Sequence, residues 1–173
     1  MVHSRSAATW RRHIVALVVC CVAMTAGVIA ATTQGRRVVD VVTAGDARSE
    51  REHDYAGEHV IEGIVDGKRF RQARGWLRYS LTTYDDTEVT VRCTFRGSEG
   101  QRLAFELLVE GRPVLTHTFV SPSDAPATME FPIPMKVTRN KTIISVMIRA
   151  VNGLTPGLIT LQTVQEHLER PAW

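Results

Sequence analysis

The residues best suited to chemistry lie in one short segment around a tryptophan. Trp76 is preceded by Arg74 and followed by Arg78 and Tyr79. Sugars present apolar CH faces, which stack on flat aromatic rings, and hydroxyl rims, which pair with planar polar groups such as guanidinium. The segment therefore predicts a carbohydrate-binding surface in which these four side chains contact the ligand.

Other aromatic and arginine residues could extend this surface. Tyr55, Tyr84 and Arg69 are the second candidates. The alternative is that Trp76 and Tyr79 cover the hydrophobic core, because large aromatic side chains are commonly buried. The aromatic content of 6% is low for a protein that binds sugars tightly, so any glycan ligand is expected to bind weakly.

Groups that could catalyse a reaction occur only as isolated fragments. Ser49-Glu50-x-x-His53 contains nucleophile, acid and base types, but no oxyanion motif accompanies it. Asp85-Asp86 offers two carboxylates, yet neighbouring side chains in a strand point to opposite faces and cannot flank a sugar as glycosidase carboxylates do. We expect Glu50 and His53 to hold a loop in place, and we expect no enzymatic activity.

Metal and thiol chemistry is not favoured either. A divalent ion bound by Glu50, His53 or Asp54 is an alternative, but neither an HExxH nor a calcium-loop pattern is present. Cys93 lies on the apolar side of an alternating segment, and a buried free thiol there behaves as a small hydrophobic group. The sequence predicts no metal site and no cofactor.

The charge distribution argues against nucleic acid as a partner. The net charge is +3, and three of the 21 basic residues, Arg5, Arg11 and Arg12, lie in the first 30 positions, where there is no acidic residue. The remaining 18 basic residues equal the 18 acidic ones. The body is therefore neutral and has no clustered basic stripe to contact phosphates.

Alternating polarity predicts the elements that must position these residues. In 87–95, Val89, Val91, Cys93 and Phe95 alternate with polar residues, which is typical of a half-buried strand. Similar segments predict seven or eight strands joined by short turns, and hence an all-β antiparallel sandwich. The predicted strands are 76–83, 87–95, 103–109, 114–120, 129–133, 142–150 and 158–165, with 49–75 as a long loop or short strands.

The domain boundaries follow from composition. Residues 1–31 combine a basic start with an uncharged apolar stretch and small residues at its end, which predicts a signal peptide cleaved after Ala30 or Ala31. The alternative is a membrane anchor formed by 14–31, the only membrane contact expected. Residues 32–48 are predicted as a linker and first short strand, 49–167 as the sandwich, and 168–173 as a tail. The protein is expected to be exported, periplasmic or extracellular.

A set of fragments in this order resembles a domain found in certain bacterial enzymes. The fragments are Ser49-Glu50-x-x-His53, Gly57-Glu58, Gly63, Gly67-x-x-Phe70-Arg71-x-Ala73, Gly75-Trp76-x-x-Tyr79, Phe105-x-x-Leu108-Val109-x-Gly111 and Pro132-Ile133-Pro134. Over about 38–165 they resemble the galactose-binding-like domain that follows the catalytic barrel of β-L-arabinofuranosidases in glycoside hydrolase families 127 and 146. The sequence departs from that family at Arg74-Gly75-Trp76-Leu77, and it contains no catalytic barrel.

The resemblance implies a galactose-binding-like jelly roll. It also implies a non-catalytic accessory module exported alone, with a glycan as ligand and a glycoside hydrolase as partner. The alternative is a structural or protein-interaction sandwich in the cell envelope.

Overall fold

The computed structural model describes residues 35–84, 87–121 and 123–166. The predicted leader, the Asp85-Asp86 turn and the tail at 168–173 lie outside the described residues. Within the described ranges, no helix is long and apolar enough to cross a membrane.

The described residues form eleven strands and two short helices. In chain order these are β1 (Arg36–Thr43), α1 (Ala47–Glu52), β2 (Ala56–Gly57), β3 (Val60–Val65), β4 (Lys68–Ala73), β5 (Trp76–Thr82), β6 (Val89–Phe95), β7 (Arg102–Val109), β8 (Arg112–Val120), β9 (Ala127–Ile133), α2 (Met135–Thr138), β10 (Ile143–Ala150) and β11 (Leu158–Glu166).

The strands form two antiparallel sheets. The six-stranded sheet has the order β3-β4-β11-β6-β9, with β1 also paired to β11. The five-stranded sheet has the order β2-β5-β10-β7-β8. Buried residues of both sheets form one hydrophobic core. The prediction of an all-β antiparallel sandwich is confirmed.

The core forms because alternate residues of each strand point inward. In β6 every apolar residue of the predicted alternation is buried and every polar one lies on the other face. Aromatic rings from both sheets meet at the centre of the core. The ring centroids of Phe95 and Phe105 are 5.5 Å apart, and those of Phe105 and Phe131 are 6.0 Å apart, both edge to face.

Two tight turns set the register of two hairpins. Glu110 and Gly111, a predicted turn, adopt φ values of 54° and 71°. Asp66 and Gly67 adopt 49° and 72° between β3 and β4. Consecutive positive φ values match the type I′ turn, whose twist suits two-residue hairpins and which favours glycine at its second position.

The structure differs from the sequence-based prediction in three places. The segment 49–75 contains β2, β3 and β4, in agreement with its prediction as short strands, but its first residues belong to α1, which was not predicted. Asp46 caps α1 by accepting a 2.8 Å hydrogen bond from the backbone N–H of Ser49. Residues 135–138, predicted as neither helix nor strand, form α2.

The position of the last strand is the third difference. Residues 158–165 were predicted as the last strand of the sheet, but β11 lies in the interior of the six-stranded sheet and pairs with β1, β4 and β6. By contrast, Pro132 lies in β9, which is an edge strand, as its missing N–H predicts.

Candidate functional site

Strand β5 places the central candidate residues on opposite faces of the five-stranded sheet. Leu77, Tyr79 and Leu81 are buried in the core. Trp76 and Arg78 point outward, Trp76 partly exposed and Arg78 exposed. Because successive residues of a strand alternate between faces, the predicted group of four cannot act as one surface.

The neighbouring strands supply Trp76 with polar partners. Arg149 of β10 lies directly opposite Trp76, and Glu106 of β7 lies directly opposite Arg149. Side chains of directly opposite residues stand roughly 4.5–5.5 Å apart at Cβ. Arg149 donates to Glu106 Oε2 from Nε at 2.9 Å and from Nη2 at 2.5 Å. We call Trp76, Arg78, Arg149 and Glu106 the Trp76 platform.

The Trp76 platform is organised by an aromatic–cation contact. The guanidinium carbon of Arg78 lies 5.9 Å from the centroid of the Trp76 ring. Such a contact stabilises an exposed pair by about 0.5–1 kcal/mol. It orients the indole and brings a fork of N–H donors to its surface.

The turn before β5 adds a carboxylate beside the platform. Glu58 donates its backbone N–H to the carbonyl of Trp76 at 2.9 Å, and Gly75 donates to the carbonyl of Glu58 at 3.3 Å. A Cβ at Gly75 would lie 2.7 Å from Glu58 Oε2, so only glycine leaves room for this side chain. Arg74 is exposed in the same turn. The predicted Arg74, Trp76 and Arg78 are therefore brought together.

Tyr79 and Tyr55 form a separate stack inside the sandwich. Tyr79 is 1% exposed, and its hydroxyl has no hydrogen-bond partner within the described part of the chain. Burial raises the pKa of this hydroxyl. Tyr55 is half-buried and stacks on Tyr79 with centroids 5.1 Å apart. Tyr79 therefore offers no surface to a ligand, which agrees with the alternative that it covers the core.

A buried ion-pair network lies next to this stack. Glu50 accepts two 2.7 Å hydrogen bonds from Arg71, one from Nε and one from Nη2. Arg71 also pairs with Glu62, and its guanidinium carbon lies 5.3 Å from the Tyr55 centroid. The hydrogen bond to Glu50 is the main reason that the pKa of Arg71 is raised. The network fixes the end of α1 against β4.

Two predicted residues lie outside the five-stranded sheet that carries the Trp76 platform: Tyr84, which follows β5 and is 50% exposed, and Arg69. Arg69 belongs to the six-stranded sheet. It is exposed on β4 and lines a surface pocket of about 230 Å³. The other lining residues are Gly45, Glu62, Gly63, Ile64 and Phe70.

His53 joins α1 to both sheets. Its Nδ1 lies 2.6 Å from the carbonyl oxygen of Ser49, and its Nε2 lies 3.0 Å from Asp40 Oδ1. Asp40 Oδ2 accepts the backbone N–H of Thr82 at 2.7 Å. These contacts agree with the structural interpretation of Ser49-Glu50-x-x-His53, in which Glu50 and His53 hold the segment in place.

The residues that the structure describes assemble neither a reactive thiol nor a metal site. Cys93 is fully buried, and burial raises the pKa of its thiol, which keeps the unreactive protonated form. Across 35–84, 87–121 and 123–166, no three His, Cys, Asp or Glu side chains converge as metal ligands would.

Sequence reasoning missed three residues near Trp76. Glu58 was noted only as part of a family fragment, and Arg149 and Glu106 were not singled out. Arg149 is 73 positions beyond Trp76, so only the strand register brings them together. The signal available was the predicted central strand at 142–150, on which Arg149 is the lone charged residue.

Several solved structures share this fold. A family 35 carbohydrate-binding module from an environmental isolate aligns with 13% identity and a TM-score of 0.56, over 75% of this chain and 98% of that one. A family 35 module from Clostridium thermocellum aligns with 11% identity and a TM-score of 0.50, over 75% and 97%. A family 36 module in complex with calcium and xylotriose aligns with 10% identity and a TM-score of 0.50, over 71% and 98%. The chain therefore has the sandwich fold of carbohydrate-binding modules.

The family of the chain is identified by comparison of its sequence with known families. No curated protein matches the chain. A family model, however, matches residues 35–162, which is most of the sequence. The chain therefore belongs to the family described as "Family of unknown function (DUF6805)".

Proposed function

We propose that this protein is a non-catalytic module that binds carbohydrate weakly on the Trp76 platform. The observation that carries the proposal is an outward-facing tryptophan with Arg78 over its ring and Arg149, bound to Glu106, as its register partner on the next strand. The indole can stack on a sugar CH face, while these groups donate to and accept from sugar hydroxyls. The shared fold of carbohydrate-binding modules supports the same function.

Replacing Trp76 tests the platform. We expect Trp76→Ala to weaken binding of arabinose-containing oligosaccharides by about tenfold, or ~1.4 kcal/mol, because the stacking surface is lost. Isothermal titration calorimetry at millimolar sugar measures the change. Ile143→Ala is the matched control, because Ile143 is exposed on the same face of the same sheet but at the other end of β5, opposite Thr82. Binding that survives Trp76→Ala would remove the platform from the proposal.

We also propose export and an accessory role. The leader at 1–31 and the resemblance to the domain of β-L-arabinofuranosidases support a module that acts with a separate glycoside hydrolase. Mass spectrometry of the protein recovered from its native host would reveal an N-terminus after Ala30 or Ala31. Retention of residues 14–31 in a membrane fraction would favour the anchor.

A second candidate function is docking to a protein partner. The edge strand β3 carries two exposed isoleucines, Ile61 and Ile64, which are 40% and 67% exposed. Edge strands can pair with another chain, and exposed apolar side chains favour such contacts. Absence of binding to any sugar at millimolar concentration would favour this function.

A further inference from the structure

The pocket beside Arg69 is separate from the Trp76 platform. Its walls come from the hairpin of β3 and β4 and from the turn that follows β1. Its volume of about 230 Å³ corresponds to the liquid volume of about eight waters at ~30 Å³ each. This is the space of one sugar ring rather than of a chain of several.

One wall holds a guanidinium in place. The stem of Arg69 runs across Gly45, where an added Cβ would lie 2.8 Å from the Cβ of Arg69. Gly45 has a φ of 79° and donates its N–H to Glu50 Oε1 at 2.7 Å. Arg69 forms no ion pair with any residue of the described ranges. Its N–H donors are therefore free for a ligand.

The same face of the hairpin holds a carboxylate. Glu62 pairs with Arg71, which is itself bound through two hydrogen bonds to the buried Glu50. Glu50 therefore contacts two parts of the lining, because it accepts hydrogen bonds from Gly45 and from the partner of Glu62, Arg71. A carboxylate held by one arginine keeps lone pairs for further donors.

Apolar surface completes the pocket. Ile64 is 67% exposed and lies opposite Arg69 in the hairpin. The ring of Phe70 packs over the Cα of Gly63, where a Cβ would lie 2.3 Å from the ring. Together they offer CH groups to the less polar side of a ligand.

We propose that this pocket is a second sugar site, which takes a single neutral sugar ring at the end of a glycan chain. Arg69 donates to hydroxyl oxygens, Glu62 accepts from vicinal hydroxyl protons, and Ile64 contacts the ring carbons. Because the pocket is lined by one positively charged side chain, Arg69, and one negatively charged side chain, Glu62, it suits a ligand without net charge. The inference rests on the proposed carbohydrate-binding function and adds the type of ligand end that is recognised.

The test compares two probes on the full-length protein. Methyl glycosides of arabinose and galactose are the single-ring probes, and arabino-oligosaccharides are the longer probes. Arg69→Met keeps the stem and removes the guanidinium, and Glu62→Gln keeps the shape and removes the charge. Lys68→Met is the matched control, because Lys68 is the exposed neighbour of Arg69 on the other face of β4. Unchanged thermal unfolding midpoints confirm that each variant folds.

We expect Arg69→Met and Glu62→Gln to weaken methyl glycoside binding about tenfold or more, while Lys68→Met leaves it unchanged. If oligosaccharides bind and only Trp76→Ala weakens them, the pocket proposal fails and the proposed function stands. If only the pocket variants weaken binding, the pocket stands and the platform fails. If the unmodified protein binds no sugar at millimolar concentration, both fail.

Discussion

Glu50 shows how strongly the surroundings of a single residue set its role. Its carboxylate is buried and makes two hydrogen bonds to Arg71 and one to Gly45. Removing one partner of a buried ion pair typically costs about 3–5 kcal/mol, because the other charge is left without compensation. Glu52, two positions later, makes only an exposed pair with Arg48. Two glutamates of one short helix therefore differ in role. The contacts of Glu50 hold the fold together, whereas the ion pair of Glu52 is exposed to solvent.

His53 makes the stability of the protein depend on pH. A carbonyl only accepts hydrogen bonds, so Nδ1 must donate to Ser49, and Asp40 is best satisfied when Nε2 also carries a proton. Burial lowers the pKa of His53, but the hydrogen bonds to Asp40 and Ser49 and the charge of Asp40 outweigh it and raise the pKa above 6.5. Burial raises the pKa of Asp40, but its hydrogen bonds to Thr82 and His53 outweigh this and lower the pKa below 3.8.

These two shifts define a pH window of extra stability. The contribution of His53 is complete below pH 6.5 and is lost as pH rises through its folded pKa. That of Asp40 is complete above pH 3.8 and is lost as pH falls through its folded pKa. We expect the free energy of unfolding of the unmodified protein to exceed that of His53→Gln by the largest amount between pH 3.8 and pH 6.5. The difference should shrink at alkaline pH. Urea unfolding from pH 4 to 9 measures it.

His59→Gln is the control for this pH series. Its side chain is 72% exposed, so the substitution should leave the pH dependence of the unmodified protein in place. A His53→Gln difference that stayed constant from pH 6 to 9 would contradict the charged pair.

At the scale of elements, the hairpin of β3 and β4 is held by a close contact between a glycine and an aromatic ring. Gly63 and Phe70 are register partners, and the ring covers the glycine Cα. On its other side the ring lies 4.7 Å from the guanidinium carbon of Arg96. The ring therefore has little freedom to move away from β3.

Gly63→Ala should consequently destabilise the fold. The new methyl group would overlap the Phe70 ring, and such overpacking typically costs about 1–3 kcal/mol. Gly35→Ala, where no atom lies within 4 Å of the added Cβ, should change the free energy of unfolding by less than about 0.5 kcal/mol. Chemical denaturation measures the free energy of unfolding of both variants. Equal values would show that the hairpin accommodates the new methyl group without loss of stability.

Local pattern predicted some of these elements and not others. Alternation over 87–95 sufficed for β6, because each inward position packs in the core. The hairpin of β3 and β4 lacks such alternation. Its local signal was Asp66-Gly67, a pair that favours a two-residue hairpin turn and that was not used in the prediction. Helix α1 is too short to show a helical repeat, and Asp46 followed by Ser49 was its one signal. Its stability depends on Glu50 meeting Arg71, a contact that spacing alone does not reveal.

At the scale of the whole molecule, the sequence predicted only the central residues of the candidate site. Trp76, Arg74 and Arg78 are local in sequence and remain neighbours. Arg149 and Glu106 join them through the order β5-β10-β7, which follows from how the sheet assembles and not from any short motif. The burial of Tyr79 follows from the same alternation that exposes Trp76, so the two aromatic residues could have been separated from the start.

Cys93 reports on the integrity of the whole sandwich. Its register partners are Leu161 of β11 and Met129 of β9, and it is fully buried, so a reagent reaches the thiol only when the sheets separate. We expect alkylation of Cys93 to be absent under native conditions and to follow the global unfolding transition in urea. Mass spectrometry of the peptide that contains Cys93 distinguishes it from Cys20 and Cys21. Rapid alkylation without denaturant would indicate local opening of β6.

The interior position of β11 has a consequence for synthesis on the ribosome. The strand that joins β1, β4 and β6 is made after all of its neighbours, so the six-stranded sheet cannot assemble before residue 166 has left the exit tunnel. Until then β1, β4 and β6 lack the strand that joins them, which is the interval in which a chaperone would meet them. Translation arrested before Leu158 should yield a protease-sensitive nascent chain, however many of its strands have already emerged.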